Sequence, residues 1–418
     1  MHSNKRAPAT KKVDGEIADD MYPYLRRYKD GRVERLAVST FVPASEEPGA
    51  TGVATRDVVV DPSTGVSVRL FLNVAAAATG RRLPLIVYFH GGSFCTGSAF
   101  SKLFHRYAAS LCTHTGALVI SVDYRLAPEH PIPAAYNDAW AALRWVVSLS
   151  DPWIACHANP MRMFLAGESA GGNIVHNVAA RAATPDGDDI DIEGLILLQP
   201  FFWGTDRLPS ETDWHDGSVF EPEWVDKLWP FLTAGAADND DPRLNPLADQ
   251  VASLPCRRAL VAVAAKDLAR DRGRRYAAWL CHGERHREVM LVESEGEDHG
   301  FHLYRLARPS AVALMDRVVE FINGGAPLPF SGTKTGHLHA QDDMNKTYRA
   351  ALANGSGTKV CRRPGLMTRN AFVVRPAKPP AASFRLMLGR PSSCKVVQKG
   401  PFAPSGLGRA VAKPFPFP

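Results

Sequence analysis

Gly167-Glu-Ser-Ala-Gly171 stands between two stretches of different periodicity. Before it, Arg162-Met-Phe-Leu-Ala166 is a short apolar run of strand type. After it, Ile174, Val175, Val178, Ala179 and Ala182 recur at helical spacing. A serine between two glycines, at a strand-to-helix turn, reads as a nucleophile held on a tight elbow. The glycines are expected because a side chain at Gly167 or Gly171 would collide with neighbouring backbone. Ser169 Oγ is then held out at the end of a sheet, next to the positive end of the following helix. The five residues alone also fit an ordinary Gly/Ser turn, so the reading needs support from elsewhere in the chain.

Upstream, Leu83-Pro-Leu-Ile-Val-Tyr-Phe89 is a second buried-strand run, and it ends in His90-Gly91-Gly92-Ser93-Phe94. A glycine pair after such a strand lets backbone N–H groups approach a developing alkoxide. The expected donors are the N–H groups of Gly91 and Gly92, joined by that of Ala170. Ser93 stands where a third glycine would complete the motif, which leaves the shape of the acyl pocket open. His90 reads as a residue that fixes the loop and transfers no proton.

Chain order supplies the rest. Arg258-Ala-Leu-Val-Ala-Val-Ala-Ala265 is a strand-like run followed directly by Lys266-Asp267. Glu288-Val-Met-Leu-Val-Glu293 is another, followed by the loop Ser294-Glu-Gly-Glu-Asp-His299-Gly300-Phe301. The order Ser, acid, His is that of an α/β-hydrolase. His299 is expected to take the proton of Ser169, and Asp267 to fix its tautomer and stabilise the imidazolium. The competing acids are Asp271, inside the following helix, and Glu295, Glu297 and Asp298, which crowd His299 in sequence. The competing base is His302.

Four motifs together carry a family resemblance: His90-Gly-Gly-Ser-Phe94, Asp123-Tyr-Arg-Leu-Ala-Pro-Glu-His130, Gly167-Glu-Ser-Ala-Gly-Gly-Asn173 and Asp298-His-Gly-Phe301. The chain resembles the plant carboxylesterases of the hormone-sensitive-lipase-like group over residues 15–325. That group also includes gibberellin receptors and hydroxyisoflavanone dehydratases. The resemblance implies a serine esterase with no metal or organic cofactor. It also implies a lid made from the N-terminal segment and from an insertion at about 203–246. Arg125, Glu129 and Asp138 are scaffold groups on this reading. The receptors carry an aliphatic residue in place of the His, so His299 favours catalysis over ligand binding alone. The dehydratases keep a similar triad and are poorly separated from esterases. Three readings follow: carboxylesterase, dehydratase and non-catalytic hormone receptor.

Strands alternating with helices imply a mostly parallel sheet, with Asp57–Asp61 and Val66–Leu72 as an antiparallel hairpin. In the insertion, Trp214, Phe220, Trp224 and Trp229 either line a pocket or form the lid core. Cys95 adjoins the glycine loop and reads as pocket lining. The chain has 418 residues and 7 cysteines, with no metal-like Cys/His spacing. An odd number of thiols suggests a reducing compartment. With no apolar leader and no membrane-length run, a cytoplasmic protein acting on a small ester is expected.

The net charge of +6 hides two segments. Residues 331–418 carry 15 Lys+Arg and 2 Asp+Glu, against 34 and 41 in residues 1–330. Ala311–Ile322 reads as a final amphipathic helix stopped by Asn323-Gly-Gly-Ala-Pro327. The expected organisation is therefore a flexible 1–14, a catalytic domain over 15–329 and a basic, disordered tail over 330–418. Contact of that tail with nucleic acid is the weaker of its readings; an appendage without function is the plainer one.

Overall fold

The computed structural model describes residues 15–37, 39–184, 187, 190–213, 218–282, 287–324, 358–361 and 371–372. All of them belong to one compact unit, Met1–Pro376. The strands are β1 (Ile17–Met21), β2 (Leu25–Tyr28), β3 (Val33–Arg35), β4 (Val53–Asp61), β5 (Val66–Asn73), β6 (Leu83–Phe89) and β7 (Leu118–Asp123). They continue as β8 (Ala158–Glu168), β9 (Ile192–Leu198), β10 (Cys256–Ala264), β11 (Glu288–Ser294), β12 (Thr358–Cys361) and β13 (Ala371–Phe372). The main sheet runs β13-β12-β11-β10-β9-β8-β6-β7-β5-β4, and β1–β3 form a separate antiparallel sheet. From β7 through β6, β8, β9 and β10 to β11 every pairing is parallel.

Parallel strands are covered on both faces, which is why they read as unbroken apolar runs. Along β6, Leu85, Val87 and Phe89 join one core, and Ile86 and Tyr88 join the other. Helices Ala134–Val147, Ala170–Ala182 and Arg270–His282 cover the first face, with Leu143, Val175 and Tyr276 in that core. Helices Lys102–Thr115 and Pro309–Asn323 cover the second, with Phe104, Leu111, Leu314 and Phe321. The expected hairpin is β4–β5, antiparallel from Val53↔Asn73 to Asp61↔Val66. The final helix ends as its sequence requires: Gly324 adopts φ 70° and donates its N–H to Glu320 O.

The insertion between β9 and β10 is tied down by a buried ion pair. Arg272, inside helix Arg270–His282, meets Glu211 with side chains 1% and 0% exposed. Arg272 also donates to the carbonyl of Asp206, at 2.7 Å. The N-terminal segment is clamped to the body at Arg35. Its guanidinium forks onto Glu129 at 2.7 Å twice and donates to Cys95 O at 2.9 Å. Arg125 forks onto Asp138 in the same way. All three groups expected to be scaffold are thus held in ion pairs.

The expectation that 330–418 lacks regular structure is corrected at two short segments. Thr358–Cys361 pairs antiparallel with β11, from Val289↔Cys361 to Val292↔Thr358, and Ala371–Phe372 pairs with it in turn. Without them β11 would present a row of unpaired N–H and C=O groups, and Thr-Lys-Val-Cys has the β-branched content to answer it. Four residues are too few to register as a period. The rest of 330–418, and the segment 1–14, lie outside the described residues.

Candidate active site

Ser169 sits between β8 and helix Ala170–Ala182 with φ 54° and ψ −120°, a conformation that L-residues rarely adopt. It persists because the surroundings leave no other path. A Cβ on Gly171 would lie 1.9 Å from Phe89 O, and one on Gly167 would lie 2.4 Å from Gly171 C and O. Only glycine permits this approach, as the sequence implied. The turn is pinned by Ser169 N–H to Leu198 O at 3.0 Å and by Phe201 N–H to Ser169 O at 2.9 Å.

Asp267 follows β10 and His299 follows β11, and the parallel register brings them together. His299 Nδ1 and Asp267 Oδ2 are 2.8 Å apart, with side chains 9% and 2% exposed. Asp267 Oδ1 also accepts from Ala269 N–H at 3.0 Å. His299 Nε2 is buried and has no hydrogen-bond partner among the described residues, and His299 lines a cavity with Ser169. Burial alone opposes the imidazolium. The charge and hydrogen bond of Asp267, with Asp298 and Glu168 further off, outweigh it and hold the His299 pKa above its usual value.

The competitors are placed elsewhere. Asp271 is engaged by Arg270, Arg274 and Ser210 N–H, and Glu297 by Ser310 and Arg308. Asp298 accepts from His299 N–H at 2.7 Å and from Val219 N–H at 3.1 Å, which ties the insertion to the His loop. His302 is buried edge-on to Tyr107, at 5.1 Å, outside both cavities beside Ser169. Burial depresses its pKa to about 3, so it is neutral.

The glycine loop corrects one expectation. Gly91 N–H donates to Glu168 Oε1 at 2.6 Å and is not open to an alkoxide. The next residues turn sharply: Gly92, Ser93 and Phe94 have φ 108°, 54° and 58°. A Cβ at Gly92 would lie 2.2 Å from Thr96 O. Among the described residues the N–H groups of Gly92, Ser93 and Ala170 have no protein acceptor. Ser93 thus keeps the left-handed path of the glycine it replaces. His90 is structural, as expected. It stacks on Tyr124 at 4.3 Å, and Tyr124 OH donates to His90 O at 2.7 Å.

Two residues escaped the sequence reading. Glu168 looks like the variable position of the elbow motif, yet it is buried, receiving Tyr88 OH and Gly91 N–H. Burial pushes its carboxyl up to about 8 in spite of these donors. Gln199 follows β9 and accepts Gly300 N–H on Oε1 at 2.7 Å. Neither has a sequence signature, because their partners come from other strand ends. Cys95 lines neither cavity; its thiol is buried under the loop and pushed up to about 12.

The insertion divides its aromatics. Phe220 stands edge-on to His299 at 4.9 Å, and Trp224 packs on Tyr24 of the N-terminal segment at 5.3 Å. Trp229 is core, fully buried, with Nε1 donating to Asp241. Trp214 lies outside the described residues. Two cavities, of about 130 and 20 Å³, meet at Ser93, Ser169, Phe220 and His299. Among the described residues no group of three or more His, Cys, Asp or Glu is placed to hold a metal. Among them, too, no helix is long and apolar enough to cross a membrane.

With this geometry in view, residues 86–303 match the family model described as alpha/beta hydrolase fold. The chain belongs to the α/β-hydrolase fold family. It is 39% identical over 323 residues to "Probable carboxylesterase 5" of Arabidopsis thaliana, covering 75% of this chain and 100% of that protein. It is 38% identical over 338 residues to a 2-hydroxyisoflavanone dehydratase of Glycyrrhiza echinata, covering 77% and 100%. Among solved structures it is similar to EstE1, a thermostable carboxylesterase from a metagenomic library. The TM-score is 0.56 and the identity 26%, over 70% of this chain and 92% of that one. This α/β-hydrolase is thus a carboxylic-ester hydrolase of the plant carboxylesterase type. Its cavity lies at the carboxyl ends of β6, β8, β9, β10 and β11, where open α/β sheets take their ligands.

Proposed function

We propose that the chain hydrolyses small carboxylic esters through Ser169, His299 and Asp267, by way of an acyl-enzyme. Ser169 Oγ attacks the ester carbonyl as His299 Nε2 takes its proton. The oxyanion is received by the N–H groups of Gly92, Ser93 and Ala170. His299 then protonates the leaving alcohol, and water, activated by the same imidazole, clears the acyl group. Asp267 keeps Nδ1 protonated and Nε2 directed at the serine. The observation that carries this reading is the buried, unpartnered His299 Nε2 in one cavity with Ser169, backed by Asp267 at 2.8 Å. Ser169→Ala is expected to lower kcat on a short-chain aryl ester by at least roughly 10³-fold while leaving the Tm in place. A folded variant with near-wild-type turnover sinks the mechanism.

The likeness to a dehydratase supports a second reading, in which the same residues promote loss of water from a hydroxylated substrate. Hydrolysis of simple esters without a hydroxyl on the carbon β to the carbonyl separates the two, since elimination of water has no leaving group there.

A further inference from the structure

The two cavities beside Ser169 differ in kind. The smaller is walled by apolar side chains of the insertion and its base, among them Trp203, Trp224, Val225 and Leu228. The larger includes Glu168, Gln199 and Gly300 in its lining. Gln199 is 1% exposed and holds φ 46°, a strained value for a residue other than glycine. Its orientation is fixed, because only the carbonyl end of an amide can accept Gly300 N–H. Nε2 therefore carries two N–H donors, and it is buried with no partner among the described residues. Leaving such a donor unpaired is unfavourable. Support of the His loop needs only the acceptor end, so the donor end is surplus to the fold, on a residue that lines a cavity shared with Ser169 and His299.

We propose that Gln199 is a specificity residue whose Nε2 donates to a hydroxyl or ether oxygen on the larger half of the substrate. The smaller half, short and apolar, occupies the narrow cavity. This rests on the serine-esterase reading above and names its substrate class: an ester joining a short apolar group to a bulkier, oxygen-bearing one.

The test compares esters matched in size. One pair is glyceryl monoacetate and propyl acetate; the other is methyl 3,4-dihydroxybutyrate and methyl butyrate, since either half of the ester can face Gln199. In the wild-type chain one pair is expected to show a preference of about tenfold in kcat/KM for the hydroxylated member. Gln199→Met should bring that ratio to within about twofold. Gln199→Glu at pH 9 keeps an acceptor for Gly300 N–H but has no donor, and should collapse the ratio equally. A merely structural role would lower both members of a pair together and leave the ratio standing. Absence of any preference in the wild type, or a preference that survives in either variant, overturns the proposal. Failure of the esterase reading looks different. The wild type would then hydrolyse none of the four esters, and a fluorophosphonate would not label Ser169; that outcome overturns both.

Discussion

At the residue scale the decisive group in the proposed mechanism is His299, because on that proposal its proton sets when the site is competent. Asp267 holds the imidazole pKa above 6.5 against the opposing effect of burial. A base must be neutral, so kcat/KM falls as pH drops through that raised value. The acid limb of the pH profile is expected to have its midpoint above 6.5, and Asp298→Asn, which removes one nearby negative charge, should move it down. A wild-type midpoint below 6.5 would contradict the electrostatics. Glu168 gives a second, independent titration. Its folded pKa of about 8 lies above the ordinary 4.5. A group raised in this way contributes stability that is complete below the unfolded pKa and gone above the folded one. Glu168→Gln removes that dependence. The Tm of the variant minus that of the wild type should therefore rise between pH 5 and pH 8; a flat difference would place the carboxylate elsewhere on the scale. Ser169, Asp267 and His299 were legible in sequence because each follows a buried strand, and parallel strands deliver their carboxyl ends to one edge. The occupancy of Gly91 N–H was not, because its acceptor lies 77 residues along the chain and only burial turns it inward.

At the scale of elements, the parallel strands were read well and the insertion poorly, for one reason. A strand buried on both faces has a single task, and its composition declares it. The insertion has two tasks, to pack on the body and to face the site. Aromatics serve both, so Trp229 and Trp224 look alike in sequence. Helix Pro222–Leu232 shows how the tasks divide: Trp224, Val225 and Leu228 lie one to four residues apart and wall the narrow cavity. Leu228 is 1% exposed. Leu228→Ala should enlarge that cavity at a cost of about 2–5 kcal/mol in stability. The measurement is kcat/KM across two homologous series, one lengthened in the acid and one in the alcohol. One series is expected to shift its optimum by one or two carbons, and that series identifies which half of the ester the narrow cavity takes. If neither optimum moves, this helix does not limit substrate length.

For the whole molecule, the charge break near residue 330 and the last described strand, Ala371–Phe372, do not coincide. The break was legible because composition is a sum over many residues. The pairing of β12 with β11 was not, because it depends on a sheet edge that only the assembled fold creates. The two facts predict different outcomes for two truncations. A chain ending at Pro376 retains both strands, and its Tm should stay within about 2 °C of the full chain. A chain ending at Pro329 loses β12 and β13 and leaves Val289–Val292 unpaired on an exposed edge. Its Tm should fall by several degrees, and light scattering should detect association at concentrations where the longer chain is monodisperse. Activity should part company with stability here. Among the described residues none that lines either cavity lies beyond Tyr304, so kcat/KM below the melting range should stay within about twofold. If the shorter chain keeps its Tm and stays monodisperse, the edge pairing adds nothing to the fold. If kcat/KM collapses while the Tm holds, the tail reaches the site by a route that the sheet does not provide.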